Sequence, residues 1–214
     1  MQVINRDKVR TTALLLAVLT IVYNLAEGMV ATYYGASDET LALFGFGVDS
    51  FVEVLSGLGI THMIMRMKKQ PVGEMDRFER RALRITGTAF YLLVAGLLLG
   101  SILAVLYEVR PVTTVPGIIL SVVSILSMYI LYRQKLKAGR QLNSQPIISD
   151  AHCTKTCFYL SFILLGSSLL YAFFRIPYVD ALGSLGIAWY AFGEGREAIE
   201  KASHKRIASE DDCC

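Results

Sequence analysis

Residues 86–107 read TGTAFYLLVAGLLLGSILAVLY and contain no charged side chain. A bilayer core about 30 Å thick is crossed by roughly 20 apolar helical residues, so this stretch is long enough to span a membrane. Other apolar stretches of similar length precede and follow it along the chain. We therefore predict an all-α membrane protein with six transmembrane helices. The predicted spans are about residues 11–33, 40–65, 84–107, 112–132, 147–174 and 180–195.

The composition of the chain is typical of this class of protein. Of its 214 residues, 54% are hydrophobic and 18% are charged, and a soluble domain of this size needs more polar surface. We expect residues 1–214 to form a single six-helix transmembrane domain with a short charged tail, residues 199–214. The first span is too long for a removable signal peptide. Cys213 and Cys214 at the end of the tail are weak evidence for metal binding.

Basic side chains indicate how the helices are oriented. They cluster in the N-terminal segment, between the second and third spans, between the fourth and fifth spans, and in the tail. The cluster before the fifth span contains Arg133, Lys135, Lys137 and Arg140, which we place in a loop. Since cytoplasmic loops carry an excess of Lys and Arg, we predict that both termini face the cytoplasm and that the protein spans the cell membrane. We interpret the clusters as determinants of topology and expect no nucleic-acid partner.

Two acidic side chains lie inside the second predicted span, LFGFGVDSFVEVLSG (43–57). Asp49 and Glu53 are four residues apart, so they project from the same helix face about one turn apart. An ionisable group at this depth is costly unless it is paired, neutralised or hydrated. Because like charges repel in a low dielectric, one of the two should bind a proton unless a cation lies between them. The pair is therefore a candidate cation site.

A second polar pattern opens the fifth predicted span, in SDAHCTKTCFYLS (149–161). The spacing i, i+3, i+4, i+7 predicts one polar helix face. Its members are Asp150, Cys153, Thr154, Cys157 and Ser161.

The second and fifth spans are predicted to present their polar groups at matching depths. If the two helices are antiparallel, a rise of about 1.5 Å per residue places Asp49 level with Cys157, and Glu53 level with Cys153. Two carboxylates and two thiolates can form a tetrahedral site for zinc or a softer ion. The predicted metal ligands are therefore Asp49, Glu53, Cys153 and Cys157.

Four further residues are candidates for accessory roles: Asp150, His152, Asn24 and Glu27. His152 points about 100° away from Cys153 around the helix, so it is an entrance group or, in another register, a ligand. Asn24 and Glu27 are spaced i, i+3 on the first span. Exit, proton-handling, capping and packing roles are all open for them.

Several of these motifs resemble the cation diffusion facilitator family of metal-ion transporters. DSFVE (49–53) is similar to the family's D-x-x-x-D pattern on the second span, with Glu53 replacing the second Asp. SDAHCTKTC (149–157) is similar to its ADxxHxxxD pattern on the fifth span, with Asp150 as the leading acid. On that register Cys153 stands where the family has His, and Cys157 where it has the last Asp.

The resemblance extends along most of the chain. YNLAEG (23–28) and FGVDSFVEVLSG (46–57) resemble a short subgroup of the family, and VDALGSLGIAWYAFGEGREAIE (179–200) is similar to its sixth span. The family's usual cytoplasmic metal-binding and dimerising domain has no counterpart here. A homodimer would therefore form through the transmembrane helices.

The resemblance and the predicted site together indicate a transporter and not an enzyme. We expect proton-coupled export of a divalent or soft transition-metal cation from the cytoplasm by alternating access. Zn²⁺ is the expected substrate, with Cd²⁺ or Cu⁺ as softer options, protons are the second substrate, and no permanently bound cofactor is expected.

Two alternatives to this interpretation remain. One is a transport-inactive relative that serves as a partner or scaffold membrane subunit. The other is a membrane thiol oxidoreductase that uses Cys153 and Cys157. The sequence disfavours the oxidoreductase, because a disulfide between cysteines at i and i+4 of one helix is strained.

Overall fold

Six α-helices make up nearly all of the part of the chain that the computed structural model describes, which is residues 6–38, 40–66, 77–107, 110–142, 144–176 and 178–203. No strand occurs among these residues. The helices are α1 (Arg6–Ser37), α2 (Leu41–Arg66), α3 (Arg77–Leu106), α4 (Val115–Leu142), α5 (Gln145–Phe174) and α6 (Tyr178–Ser203).

Helices α1 to α5 are each long and apolar enough to cross a membrane. Length and composition therefore support five of the six predicted spans. Helix α6 is 26 residues long, but it carries more charged side chains, among them Asp180 and Glu194. Its Trp189 is 80% exposed, and Leu92 of α3 and Leu126 of α4 are also exposed. Large apolar side chains on the outside of a helical bundle are expected where the surrounding solvent is lipid.

Neighbouring helices alternate in direction. Near the start of α1, Ala13 packs in one cluster with Ile64 near the end of α2 and Ile147 near the start of α5. At the other end of the bundle, the backbone N–H of Leu41 at the start of α2 donates to Asp180 Oδ2 at 2.7 Å. Helices α2 and α5 are therefore antiparallel, as the site prediction requires. We call the end at which α1 begins and α6 finishes the terminal end.

The helices are longer than their apolar stretches, and this corrects one prediction. The charge pattern placed four basic residues in a loop, but they lie on α4, because that helix continues to Leu142: Arg133, Lys135, Lys137 and Arg140. A helix satisfies its own backbone hydrogen bonds, so it can continue past the apolar region without exposing unpaired groups. Other basic residues of the orientation argument, in 67–76 and 204–214, lie outside the described residues, as do Cys213 and Cys214.

Glycines bring pairs of helices into close contact. A Cβ atom added at Gly47 would lie 2.6 Å from the backbone N of Thr32, and one added at Gly35 would lie 2.4 Å from the backbone N of Phe44. Only glycine permits this approach of α1 to α2. Packing of small residues is the main source of helix association in lipid, where burial of apolar surface contributes little.

Replacing Gly47 by leucine is expected to separate α1 from α2 and to lower the thermal transition of the purified protein in detergent. Overpacking a tight contact costs about 1–3 kcal/mol, and more where backbone atoms are struck. The matched control is Gly96→Leu, since a Cβ at Gly96 meets no atom of the described chain within 4 Å. Equal transition temperatures for the two variants would contradict this view of the α1–α2 contact.

Candidate metal centre

Glu53 lies at the point where α1, α2 and α5 meet. The thiol of Cys157 donates a hydrogen bond to Glu53 Oε2. The side-chain amide of Asn24 donates to the same oxygen, with 2.8 Å between Nδ2 and Oε2. Asn24 and Cys157 are both buried. A carboxylate, a thiol and an amide from three helices therefore converge on one buried point.

The contact between Glu53 and Cys157 corrects the predicted register. The rise along the helices had placed Glu53 level with Cys153, and Asp49 level with Cys157. That estimate compared Cα positions, whereas side chains on a helix lean toward its N-terminus. Because α2 and α5 are antiparallel, the side chains of Glu53 and Cys157 lean toward each other and meet between the two predicted levels.

Two oxygen atoms close to this contact have no hydrogen-bond partner within the described residues. They are Oδ1 of Asp49 and Oδ1 of Asn24. Asp49 lies one turn from Glu53 and is 2% exposed, so its carboxylate is cut off from water. Leaving a buried acceptor unpaired costs free energy. The amide oxygen can only accept, and the carboxylate oxygen accepts when it is ionised, so a cation or a hydrogen-bond donor would satisfy them.

The two cysteines of α5 lie in different surroundings. Cys157 is a buried free thiol. The two are not bonded to each other, in agreement with the strain expected for an i, i+4 disulfide. Cys153 lines a cavity next to Glu53.

The structure thus brings two of the four predicted ligands, Glu53 and Cys157, into direct contact. Asp49 lies one turn before Glu53 on α2, and Cys153 lines the adjoining cavity. Among the residues with described positions, no three His, Cys, Asp or Glu side chains are close enough together to hold a metal ion. A complete tetrahedral shell would require the side chains to move together.

The cavity extends from Glu53 toward the terminal end of the bundle. Its volume is about 90 Å³, which leaves room for several water molecules or a partly hydrated ion. On the opposite side of Glu53, buried side chains pack together, both apolar ones such as Phe46, Leu97 and Leu164 and polar ones such as Asp49 and Ser50. Glu53 is therefore approached from the terminal end. The polar residues that line the cavity include Asn24, Glu53, Ser56, Lys135, Asp150, Thr154, Glu194 and Lys201.

The predicted accessory residue Glu27 lies apart from the Glu53–Cys157 contact. Its carboxylate accepts hydrogen bonds from the hydroxyls of Tyr23, at 2.9 Å, and Ser50, at 3.3 Å. The Ser124 hydroxyl of α4 is a further partner. Glu27 is buried, and these hydroxyls hold its carboxylate without a basic side chain.

The other accessory candidates separate into two groups. Asn24 binds Glu53 directly, and Asp150 lines the cavity. His152 packs edge-on against Tyr132 of α4, with 6.4 Å between ring centroids, and does not line the cavity. The prediction that His152 points away from the stripe therefore agrees with its position.

Two charged residues of the cavity were not predicted from the sequence. Lys135 is buried on α4, and Glu194 of α6 lines the cavity and has the Thr156 hydroxyl as a hydrogen-bond partner. Lys135 lies on the buried face of α4, whose positions recur at steps of three and four residues, the period of one helix face. The buried positions that define this face are Ser121, Ser124, Met128, Leu131, Lys135 and Ala138.

Comparison with known proteins agrees with the family resemblance. The family model described as the cation efflux transmembrane domain matches residues 13–204. No curated protein sequence matches the chain significantly. Members of this family transport metal cations and are not enzymes, and the apolar helices agree with an integral, multi-pass membrane protein. Since the match covers most of its length, the chain belongs to the cation efflux family.

Proposed function

We propose that the protein exports a Zn²⁺-like divalent or soft transition-metal cation from the cytoplasm in exchange for protons. The observation that carries this proposal is the contact between Glu53 and Cys157 at the inner limit of a polar cavity. An ionisable pair at this depth in a membrane protein is a functional candidate by default, because its burial is costly. Asp49 and reduced Cys153 complete the proposed ligand set.

Proton coupling is proposed to occur at the ligand atoms themselves. Without a bound cation, the Cys157 thiol would keep its proton and donate it in the hydrogen bond to Glu53 Oε2. Thiolate and carboxylate must both be deprotonated to bind a metal ion. Metal and proton therefore compete for the same sulfur and oxygen atoms. The amide of Asn24 holds Glu53 Oε2 in place.

Alternating access is supported by the asymmetry of the bundle. The cavity lies on the terminal side of Glu53, whereas buried side chains such as Phe46 and Leu97 pack together on the other side. With both termini in the cytoplasm, as the positive-inside rule predicts, this arrangement corresponds to an inward-facing state. Export would then require the cavity to close and the apolar side to open toward the exterior.

The ligand types favour an ion of intermediate softness. Carboxylate oxygen with thiolate sulfur suits Zn²⁺ or Cd²⁺, whereas Mg²⁺ and Ca²⁺ prefer oxygen alone. A second thiolate from reduced Cys153 would shift this preference further toward soft ions.

Purified protein in proteoliposomes is expected to transport Zn²⁺ or Cd²⁺ when a pH gradient is imposed, with protons moving down the gradient and the metal ion moving in the opposite direction. A metal-sensitive dye and a pH-sensitive dye inside the same vesicles measure both fluxes, under reducing conditions that keep cysteines as thiols. Empty vesicles are the control. Flux of Zn²⁺, Cd²⁺ and Cu⁺ no greater than in empty vesicles would reject the proposal and favour a transport-inactive scaffold subunit.

A further inference from the structure

A buried ion pair lies beside the cavity. Lys135 Nζ of α4 is 3.0 Å from Asp150 Oδ2 of α5, and the two side chains are 1% and 8% exposed. Lys135 Nζ also donates to the Thr154 hydroxyl at 3.0 Å. Taking both charges out of water is costly and adds little stability compared with apolar packing. A role in function would explain why such a pair occupies this position.

The pair lies on the route to the Glu53–Cys157 contact. Asp150 precedes Cys157 by two helical turns, about 10 Å toward the terminal end. Both Lys135 and Asp150 line the same cavity as Glu53. A cation that approaches Glu53 from the terminal end therefore passes the Asp150 carboxylate, which the ammonium of Lys135 already occupies.

We propose that Asp150, with the Thr154 hydroxyl, forms an entrance site for a divalent cation, and that Lys135 is a tethered cation that fills this site until the metal displaces it. The inference rests on the proposed function for the onward path to Glu53 and Cys157. The entrance site offers only oxygen ligands. Oxygen ligands do not select for soft ions, so selection would occur at the thiolate further in.

Competition between the ammonium and the metal has a measurable consequence. A divalent ion that binds Asp150 must first separate Lys135 from it, which weakens the apparent affinity. Lys135→Met removes the competing charge and leaves the carboxylate available. We expect binding of Mn²⁺, a probe that prefers oxygen ligands, to tighten on the order of tenfold, within the usual range of coupling between two ligands.

The test is a calorimetric titration of the full-length protein in detergent with Mn²⁺ and, separately, with Zn²⁺. The variants are Lys135→Met and Lys135→Met combined with Asp150→Asn, which should cancel the gain in Mn²⁺ affinity. Lys201→Met is the matched control, because Lys201 lines the same cavity but pairs with Glu197 at 3.0 Å. An unchanged affinity for Lys135→Met, or a gain that persists without Asp150, would overturn the inference.

A second measurement does not depend on any variant folding. Acetylation of Lys135 in the wild-type protein, followed by mass spectrometry, is expected to increase when Zn²⁺ is added, because displacement frees the amine. Unchanged labelling in protein that binds Zn²⁺ contradicts the inference. If the proposed function itself is wrong, the result differs: the wild-type protein neither binds nor transports Zn²⁺.

Discussion

Glu53→Gln is expected to abolish high-affinity Zn²⁺ binding and metal flux while leaving the metal-free protein folded. Glutamine has the shape of glutamate and can still accept the hydrogen bond from Asn24, but it provides no negative charge for a cation. Mutation of a residue that hydrogen-bonds to a metal ligand lowers metal affinity about 10–100-fold. Loss of a direct ligand should exceed that range.

Thermal unfolding with and without Zn²⁺ separates this effect from misfolding. A ligand that binds only the native state stabilises it by about 2.7 kcal/mol at 100 times its Kd. Zn²⁺ should therefore raise the transition temperature of the wild-type protein but not that of Glu53→Gln. Glu200→Gln is the matched control, because Glu200 is an exposed residue of α6 that pairs with Arg196. Zn²⁺ stabilisation of Glu53→Gln equal to wild type would remove Glu53 from the site.

Substitutions at Cys157 are expected to change which metal binds. Cys157→Ser replaces a thiol that can ionise by a hydroxyl that does not, so Cd²⁺ should lose more affinity than Mn²⁺. Cys157→Asp introduces the aspartate that the family pattern has at this position. Compared with Cys157→Ser, this variant should regain metal binding, with a preference for harder ions. The ratio of Cd²⁺ to Mn²⁺ affinity, from competition titrations, measures the change.

Proton release provides an independent measure of the same site. If the thiol of Cys157 loses its proton when metal binds, titrations in buffers of different ionisation enthalpy should show more protons released by wild type than by Cys157→Asp. Cys153→Ser is the comparison on the same helix face, and its effect should be smaller because the hydrogen bond to Glu53 is made by Cys157. An unchanged Cd²⁺ preference in both Cys157 variants would exclude sulfur as the selective ligand.

The acid pair and the thiol stripe could be predicted because they depend on spacing within single helices. Four residues make about one turn of any α-helix, so Asp49 and Glu53 share a face whatever surrounds them. The predicted level at which the side chains of α2 and α5 meet was less accurate. That level depends on the length and direction of the Glu53 side chain as well as on the rise of the backbone. The result is a contact with Cys157 where one with Cys153 was expected.

Lys135 shows where reasoning from charge alone fails. A run of basic residues after an apolar span is typical of a cytoplasmic loop, and Arg133 and Lys137 are indeed exposed. Lys135 lies between them on the opposite face of the same helix, and is buried because α5 places Asp150 within 3.0 Å of its ammonium. A single run of basic residues therefore contains both exposed and buried side chains.

Hydropathy and periodicity are properties of neighbours along the chain, which is why the amino-acid order alone was enough for the helical class, the apolar lengths and the candidate ligands. Hydrogen bonds and ion pairs depend on distances between helices that are remote in sequence. The folded bundle was therefore needed to show that Glu53 meets Cys157 and Asn24, that Lys135 pairs with Asp150, and that the cavity lies on one side of Glu53. These features follow from packing, which no single helix specifies.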